Sequence, residues 1–248
     1  MAPENTLPSF ALATALGASY LELDVHGTVD GEIVVVHDAT LDRTTDGSGP
    51  VCQHSMAQLG RLDAGYRFTS DGTHFPYRGQ GIRIPRLEAV LRAFPHSCFN
   101  IEIKQAAPDI VADVIGVLER ADATPRTLLA AEHDVIMQRI RADGHGRVAT
   151  GYSVGEVIEF VRRLTADDWQ GYAPAGHALQ IPPAYDGLEL VTAESVAAAH
   201  RYGIEVHVWT INDRSEMDRL LELGIDGLMS DLPGLAIEAV AAAVPPRG

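Results

Sequence analysis

The sequence predicts an α/β protein built around a parallel sheet, one strand-helix unit short of a closed eightfold barrel. Three observations carry that expectation. Apolar runs of strand length alternate with amphipathic helical stretches to the end of the chain, without a low-complexity segment or an obvious linker. The length, 248 residues, is one at which an α/β barrel forms as a single domain. Finally, about seven strand-helix units can be counted, where a closed barrel needs eight.

The elements follow in order. Residues 6–16 read as a helix that stops at Gly17, a natural residue just past a helix end. Residues 20–25 read as a strand. The Asp30-Gly31 turn signal and the β-branched run at 33–36 then predict a short hairpin with it. From about Ala39 to Arg83 the chain is rich in Gly, Thr, Asp and aromatic residues and lacks periodicity, as expected of a functional loop or a small insertion. Alternation resumes with a helix at 87–94, a strand at 99–103 and a helix at 109–120. In the last of these Ile110, Val111, Val114, Ile115 and Leu118 share one face. Later strands are expected at 127–131, 147–152, 178–181, 205–211 and 227–230, with helices between them. Val154, Val157, Ile158 and Val161 mark one such helix, while Asp213 with Glu216 reads as a capping box opening another that ends before Gly224. The missing unit is expected at the start of the chain.

A net charge of −15 and a pI near 4.9 set the molecule against phosphate backbones and anionic lipid surfaces, so nucleic acid is a poor partner. The two cysteines, Cys52 and Cys98, fit neither a disulfide scaffold nor a zinc site and read as buried thiols. No run approaches the ~18 apolar residues of a membrane span, and Met1 is followed by Ala-Pro-Glu rather than a signal region. The expectation is a cytoplasmic protein without stable membrane insertion.

The chemistry lies on two strands. In Tyr20-Leu-Glu-Leu-Asp-Val25 the period of two puts Leu21, Leu23 and Val25 on one face and Glu22 and Asp24 on the other. Phe99-Asn-Ile-Glu-Ile-Lys104 repeats the pattern, with Asn100, Glu102 and Lys104 opposite Phe99, Ile101 and Ile103. If helices cover the apolar faces, three carboxylates converge in the lumen. Burying them is costly without a neutralising cation, which points to a hard divalent ion on oxygen ligands, Mg²⁺ or Ca²⁺. Lys104 is the only lysine among 19 basic residues. It falls near the C-terminal end of its strand, where barrel sites are built and where a compact ammonium suits a phosphate group. His37 ends the Val34-Val-Val strand and is a candidate proton-transfer group. His26 shares Asp24's face only if the strand stays regular past Val25, and its role stays open. Trp209, near the end of a late strand, is placed to wall a pocket against an apolar part of a substrate.

Several segments together resemble the glycerophosphodiester phosphodiesterases. They are Ala2-Pro-Glu-Asn-Thr-Leu-Pro-Ser-Phe10, Glu22-Leu-Asp-Val25, Val36-His-Asp-Ala-Thr-Leu-Asp-Arg-Thr-Thr-Asp-Gly47, Ile84-Pro-Arg-Leu-Glu88, Asn100-Ile-Glu-Ile-Lys104, Val208-Trp-Thr-Ile-Asn212 and Gly224-Ile-Asp-Gly-Leu-Met-Ser-Asp-Leu-Pro233. The match runs in order over nearly the whole chain. It implies a TIM (β/α)8 barrel as one domain over residues 1–248, with an insertion at about 50–83 after the catalytic hairpin. It also implies metal-dependent hydrolysis of glycerophosphodiesters to glycerol 3-phosphate and an alcohol. Carried over by position, Glu22, Asp24 and Glu102 become metal ligands, His37 one of two acid/base histidines, Lys104 a phosphate contact and Trp209 an aromatic wall. Glu4 and Asn5 match a loop beside the active site. The family's first strand, ending in a His-Arg-Gly that carries the second histidine, has no counterpart after Met1, so the first strand is expected to be absent and activity impaired. Two other readings stand beside this one: a silent phosphodiester binder, and an enzyme of the sphingomyelinase D type.

Overall fold

A computed structural model describes residues 1–243, so the last five residues of the expected 1–248 domain lie outside the described residues. The sheet is organised around β1 (Tyr20–Gly27). It pairs in parallel with β3 (Cys98–Ile103) and, at its far end, antiparallel with β2 (Ile33–Val35), which is the expected hairpin. From β3 the parallel arc continues through β4 (Thr127–Ala130) to β5 (Ala149–Thr150). A second parallel arc holds β6 (Ala178–Ile181), β9 (Glu205–Val208) and β10 (Gly227–Leu228), in the order β10-β9-β6. One parallel bridge, Gly151 to Ala178, joins the arcs. The chains can close there because Gly176 lacks a side chain: a Cβ on it would stand 2.5 Å from the Gly151 carbonyl oxygen.

Apart from the hairpin strand β2 and a separate two-stranded hairpin after β6, seven strands among the described residues line the barrel in the order β1, β3, β4, β5, β6, β9, β10. Among the described residues no strand pairs between β10 and β1, the position where sequence analysis expected a gap. The helical layer does close over that seam, where α1 (Leu7–Leu16) packs beside α9 (Pro233–Ala243). The other helices are α2 (Met56–Leu59), α3 (Leu87–Ala93), α4 (Val111–Arg120), α5 (Asp134–Gly144), α6 (Val154–Ala166), α7 (Ala193–Arg201) and α8 (Arg214–Glu222). None is long and apolar enough to cross a membrane.

Alternation along the strands fixes which face is covered. Leu21, Leu23 and Val25 of β1 and Phe99, Ile101 and Ile103 of β3 pack with Val111, Val114 and Leu118 of α4 in one buried cluster. Removing this apolar area from water drives the helices onto the sheet and leaves the polar faces to the lumen. The segment expected to be irregular has a core of its own, in which Val51, Leu59, Ala64, Ile82 and Ile84 pack on Val34, Val36 and Leu41.

Four details differ from expectation. The strands at 147–152, 205–211 and 227–230 are shorter, because pairing stops where the neighbouring strand ends; beyond β9 the backbone bonds pass to single partners, as from Trp209 N–H to the Ile181 carbonyl. In α6, Val154 and Ile158 are exposed and the buried anchor is Phe160, packed edge-on against Trp169. Cys52 and Cys98 are free but only half-buried. At α8, Asp213 caps the Glu216 N–H, but the box is not completed because the Glu216 carboxylate turns to Arg219. Sequence reasoning also passed over the hairpin of β7 (Ala184–Tyr185) and β8 (Leu188–Glu189) at the end of β6.

Candidate active site

The β1–β3 register sets Asp24 opposite Glu102 and Glu22 opposite Asn100, all on the face away from the core. Glu22, Asp24 and Glu102 each bring a carboxylate oxygen within 4.8 Å of the others. Lys104 lies among them, its Nζ 2.7 Å from Glu102 Oε2 and 3.3 Å from Asp24 Oδ1. Asp24 is further held by Asn5, whose Nδ2 donates to Asp24 Oδ2 at 2.9 Å and whose Oδ1 accepts the Asp24 N–H at 3.3 Å. Asn5 adopts a left-handed backbone conformation, φ 55°, that turns its amide toward the strand.

The electrostatics record the crowding. Although the Glu22 side chain remains exposed, partial desolvation in the lumen, then the charges of Asp24 and Glu102, push its pKa up to about 8 against the lowering effect of Lys104. At Lys104 burial works to lower the pKa, but the Glu102 and Asp24 carboxylates outweigh it and the net shift is upward. Asn100 Oδ1 is buried without a hydrogen-bond partner, while its Nδ2 reaches Met229 Sδ at 3.8 Å. Three carboxylates with one ammonium leave negative charge unbalanced, and an orphaned amide oxygen stands in register with Glu22. This all-oxygen donor set fits Mg²⁺ or Ca²⁺ and not a thiophilic metal.

His37 follows β2 and is half-exposed, its Nδ1 2.7 Å from Asp38 Oδ1. Asp38 in turn accepts two hydrogen bonds from Arg43, and Arg43 donates two more to Glu4. The Asp38 pKa is held at about 2, chiefly by Arg43. β1 stays regular to Gly27, so His26 lies on Asp24's side of the strand. It is nevertheless buried, with Nε2 3.1 Å from the His37 carbonyl oxygen, and burial lowers its pKa, keeping the ring neutral. Trp209 stands 43% exposed just past β9, at the same end of the parallel sheet as Asp24, Glu102 and Lys104.

The structure thus gathers Glu22, Asp24, Glu102, Lys104 and Asn5 into one cluster and links Glu4 to His37 through two residues that sequence reasoning did not single out, Asp38 and Arg43. Both stand in the segment Val36-His-Asp-Ala-Thr-Leu-Asp-Arg-Thr-Thr-Asp-Gly47 that carries part of the family resemblance, which by itself gave neither an individual role.

The profile of the glycerophosphoryl diester phosphodiesterase family matches residues 1–235. The chain belongs to this family. Two relatives named glycerophosphodiester phosphodiesterase illustrate the match: that of Caldanaerobacter subterraneus is 30% identical over 96% of this chain and 92% of its own length. The protein of Bacillus altitudinis is 32% identical over 95% of this chain and 92% of its own. Among solved structures, a phosphodiesterase of Oleispira antarctica in complex with the product sn-glycerol-3-phosphate superposes with a TM-score of 0.79 at 28% identity, covering 97% of this chain and 92% of that one. The glycerophosphoryl diester phosphodiesterase family thus accounts for both the α/β barrel and the order of its motifs.

Proposed function

We propose that this family member hydrolyses glycerophosphodiesters to glycerol 3-phosphate and an alcohol, with Mg²⁺ or Ca²⁺ held by Glu22, Asp24 and Glu102. The observation that carries the reading is the meeting of these carboxylates within 4.8 Å, with Lys104 between two of them. The relatives' names and the product bound to the Oleispira antarctica enzyme support the substrate class. Free Cys52 and Cys98 fit a reducing compartment, in line with a cytoplasmic protein.

When bound, the cation supplies Lewis-acid stabilisation of phosphoryl charge. Lys104, held by Glu102 and Asp24, offers its ammonium to a phosphoryl oxygen and stabilises the charge that builds there. His37, with Nδ1 turned to Asp38, keeps Nε2 free to take a proton from the attacking hydroxyl or return one to the departing oxygen. Trp209 walls the pocket mouth, and Asn5 holds Asp24 in place.

The reaction needs two proton exchanges; His37 is placed for one of them, whereas His26 is buried with Nε2 turned to the His37 carbonyl oxygen. The alternative reading is a phosphodiester binder with little turnover, and one assay decides between them. A form carrying an added strand that ends in His-Arg-Gly, seated along the stretch of β1 that β2 leaves unpaired, is expected to hydrolyse substrate ~10² to 10⁴ faster. The deciding measurement is glycerol 3-phosphate release from glycerophosphocholine with Ca²⁺, with Mg²⁺ and after chelation, for the parent and for Glu102→Gln. Turnover that survives chelation unchanged would overturn the metal assignment, and binding without any turnover in either form would favour the silent binder.

A further inference from the structure

We propose that Arg43 is a positioning residue: it fixes His37 in the tautomer and orientation needed for proton transfer and ties that histidine to the metal ligand Asp24 through the Glu4-Asn5 turn. The inference deepens the reading above and rests on its assignment of His37.

The path is continuous. His37 Nδ1 lies 2.7 Å from Asp38 Oδ1. Arg43 grips both oxygens of that carboxylate, from Nε to Oδ2 at 2.7 Å and from Nη2 to Oδ1 at 2.9 Å. The opposite edge of the same guanidinium grips Glu4, from Nη1 to Oε2 at 2.7 Å and from Nη2 to Oε1 at 2.6 Å. The next residue, Asn5, holds Asp24 at 2.9 Å. One planar donor therefore joins the segment of the proton-transfer histidine to the segment that sets a metal ligand, 39 residues apart in sequence.

Packing cannot do this work. The side chains of His37 and Arg43 are each 50% exposed and that of Asp38 28%, so hydrogen bonds rather than close contacts choose their rotamers. An ionised Asp38 only accepts hydrogen bonds, which places the neutral imidazole's hydrogen on Nδ1 and leaves the Nε2 lone pair as the base. Without the Arg43 fork, Asp38 is free to rotate and water competes for Nδ1. A lysine cannot replace the fork, because a single ammonium does not present parallel donors to two carboxylates. Exposed ion pairs add little to stability, so a loss of alignment is expected without a matching loss of fold.

The test uses nitrogen NMR of the imidazole rings in the cation-free full chain at about pH 8, where an ordinary histidine is neutral, with the His37 signals assigned from a His37→Gln variant. The parent is expected to show His37 as the Nδ1–H tautomer, and Arg43→Gln to shift the ring to a mixture rich in Nε2–H. An unchanged Nδ1–H ring in Arg43→Gln overturns the proposal. In turnover of glycerophosphocholine, Arg43→Gln is expected to lose roughly 10- to 100-fold in kcat with KM within about twofold, since misplacement by ~1 Å costs on that order. Arg43→Lys is expected to fall between it and the parent. Equal losses in kcat and KM together with a Tm drop of more than ~5 °C in both variants would mark a merely structural role and overturn it. The tie to Asp24 is read separately by calorimetry: Glu4→Ala is expected to weaken Ca²⁺ binding severalfold although Glu4 touches no ligand atom, and unchanged affinity overturns that link. Should His37→Gln prove as active as the parent, the acid/base reading of His37 falls while the NMR result still decides what Arg43 does.

Discussion

At neutral pH and without a cation, Glu22 keeps its proton, because desolvation by the surrounding lumen, then its neighbours Asp24 and Glu102, push the pKa up to about 8, against Lys104, from an ordinary value of 4.5. The folded chain therefore binds one more proton than the unfolded chain between about pH 4.5 and 8, and by linkage stability falls as pH rises through that window. Below it both states are protonated and the effect vanishes; above it the loss is complete. A cation reverses the trend by favouring the ionised form, so Ca²⁺ affinity should rise from pH 6 to about 8 with proton release on binding. Melting curves across pH with chelator and with Ca²⁺ check this, and Glu22→Gln should flatten the chelator series. A second residue-scale prediction concerns Lys104, whose ammonium sits 2.7 Å from Glu102 and 3.3 Å from Asp24. Lys104→Arg keeps the charge but places a wider, planar group there, and kcat/KM should fall by ~10-fold or more; parent-like hydrolysis would show the sole lysine to be incidental. The carboxylates and Lys104 were legible because a strand's period of two declares its faces. The Asp38-Arg43-Glu4 chain was not, since it joins loops that no periodicity relates.

For the elements, legibility followed length. β1 and β3 carry six or more residues each with clean alternation, and both were anticipated to within two residues of their ends. The β7–β8 hairpin has two-residue strands, so its turn signal Asp186-Gly187, with φ of 49° and 78°, lacked flanking runs long enough to register. Val154 and Ile158 of α6 kept a helical spacing yet face solvent, because spacing shows that a face is apolar and not what covers it. The join of the two arcs, invisible in the sequence, gives a prediction at this scale. A methyl on Gly176 would meet backbone oxygens of Gly151 at 2.5 Å and Thr150 at 2.8 Å, neither of which can rotate away. Gly176→Ala should therefore cost ~1–3 kcal/mol, seen as a Tm lower by roughly 2–4 °C per kcal/mol. A Gly31→Ala control, at a turn where a Cβ meets nothing within 4 Å but φ is 79°, separates backbone strain from collision. An unchanged Tm for Gly176→Ala would mean that the arcs do not meet as described.

Across the whole molecule the net charge of −15 acts on a substrate before any contact forms. Glycerophosphocholine carries one negative and one positive charge and feels little net force from that field, whereas glycerophosphoglycerol carries one uncompensated negative charge and is repelled. Screening sets the range: the Debye length is about 30 Å at 0.01 M salt and about 8 Å at 0.15 M. The pocket groups that would touch the phosphodiester, Lys104 and the cation at Glu22, Asp24 and Glu102, act at contact distance and are screened far less. Salt should therefore enter through KM, leaving kcat at saturation nearly constant, and it should favour the anionic substrate selectively. The expected outcome is a preference for glycerophosphocholine in kcat/KM that shrinks severalfold between 0.01 and 0.15 M salt at fixed free Ca²⁺. A preference that does not change with salt would place discrimination wholly in pocket contacts such as Trp209 and leave the acidic surface without a part in substrate choice.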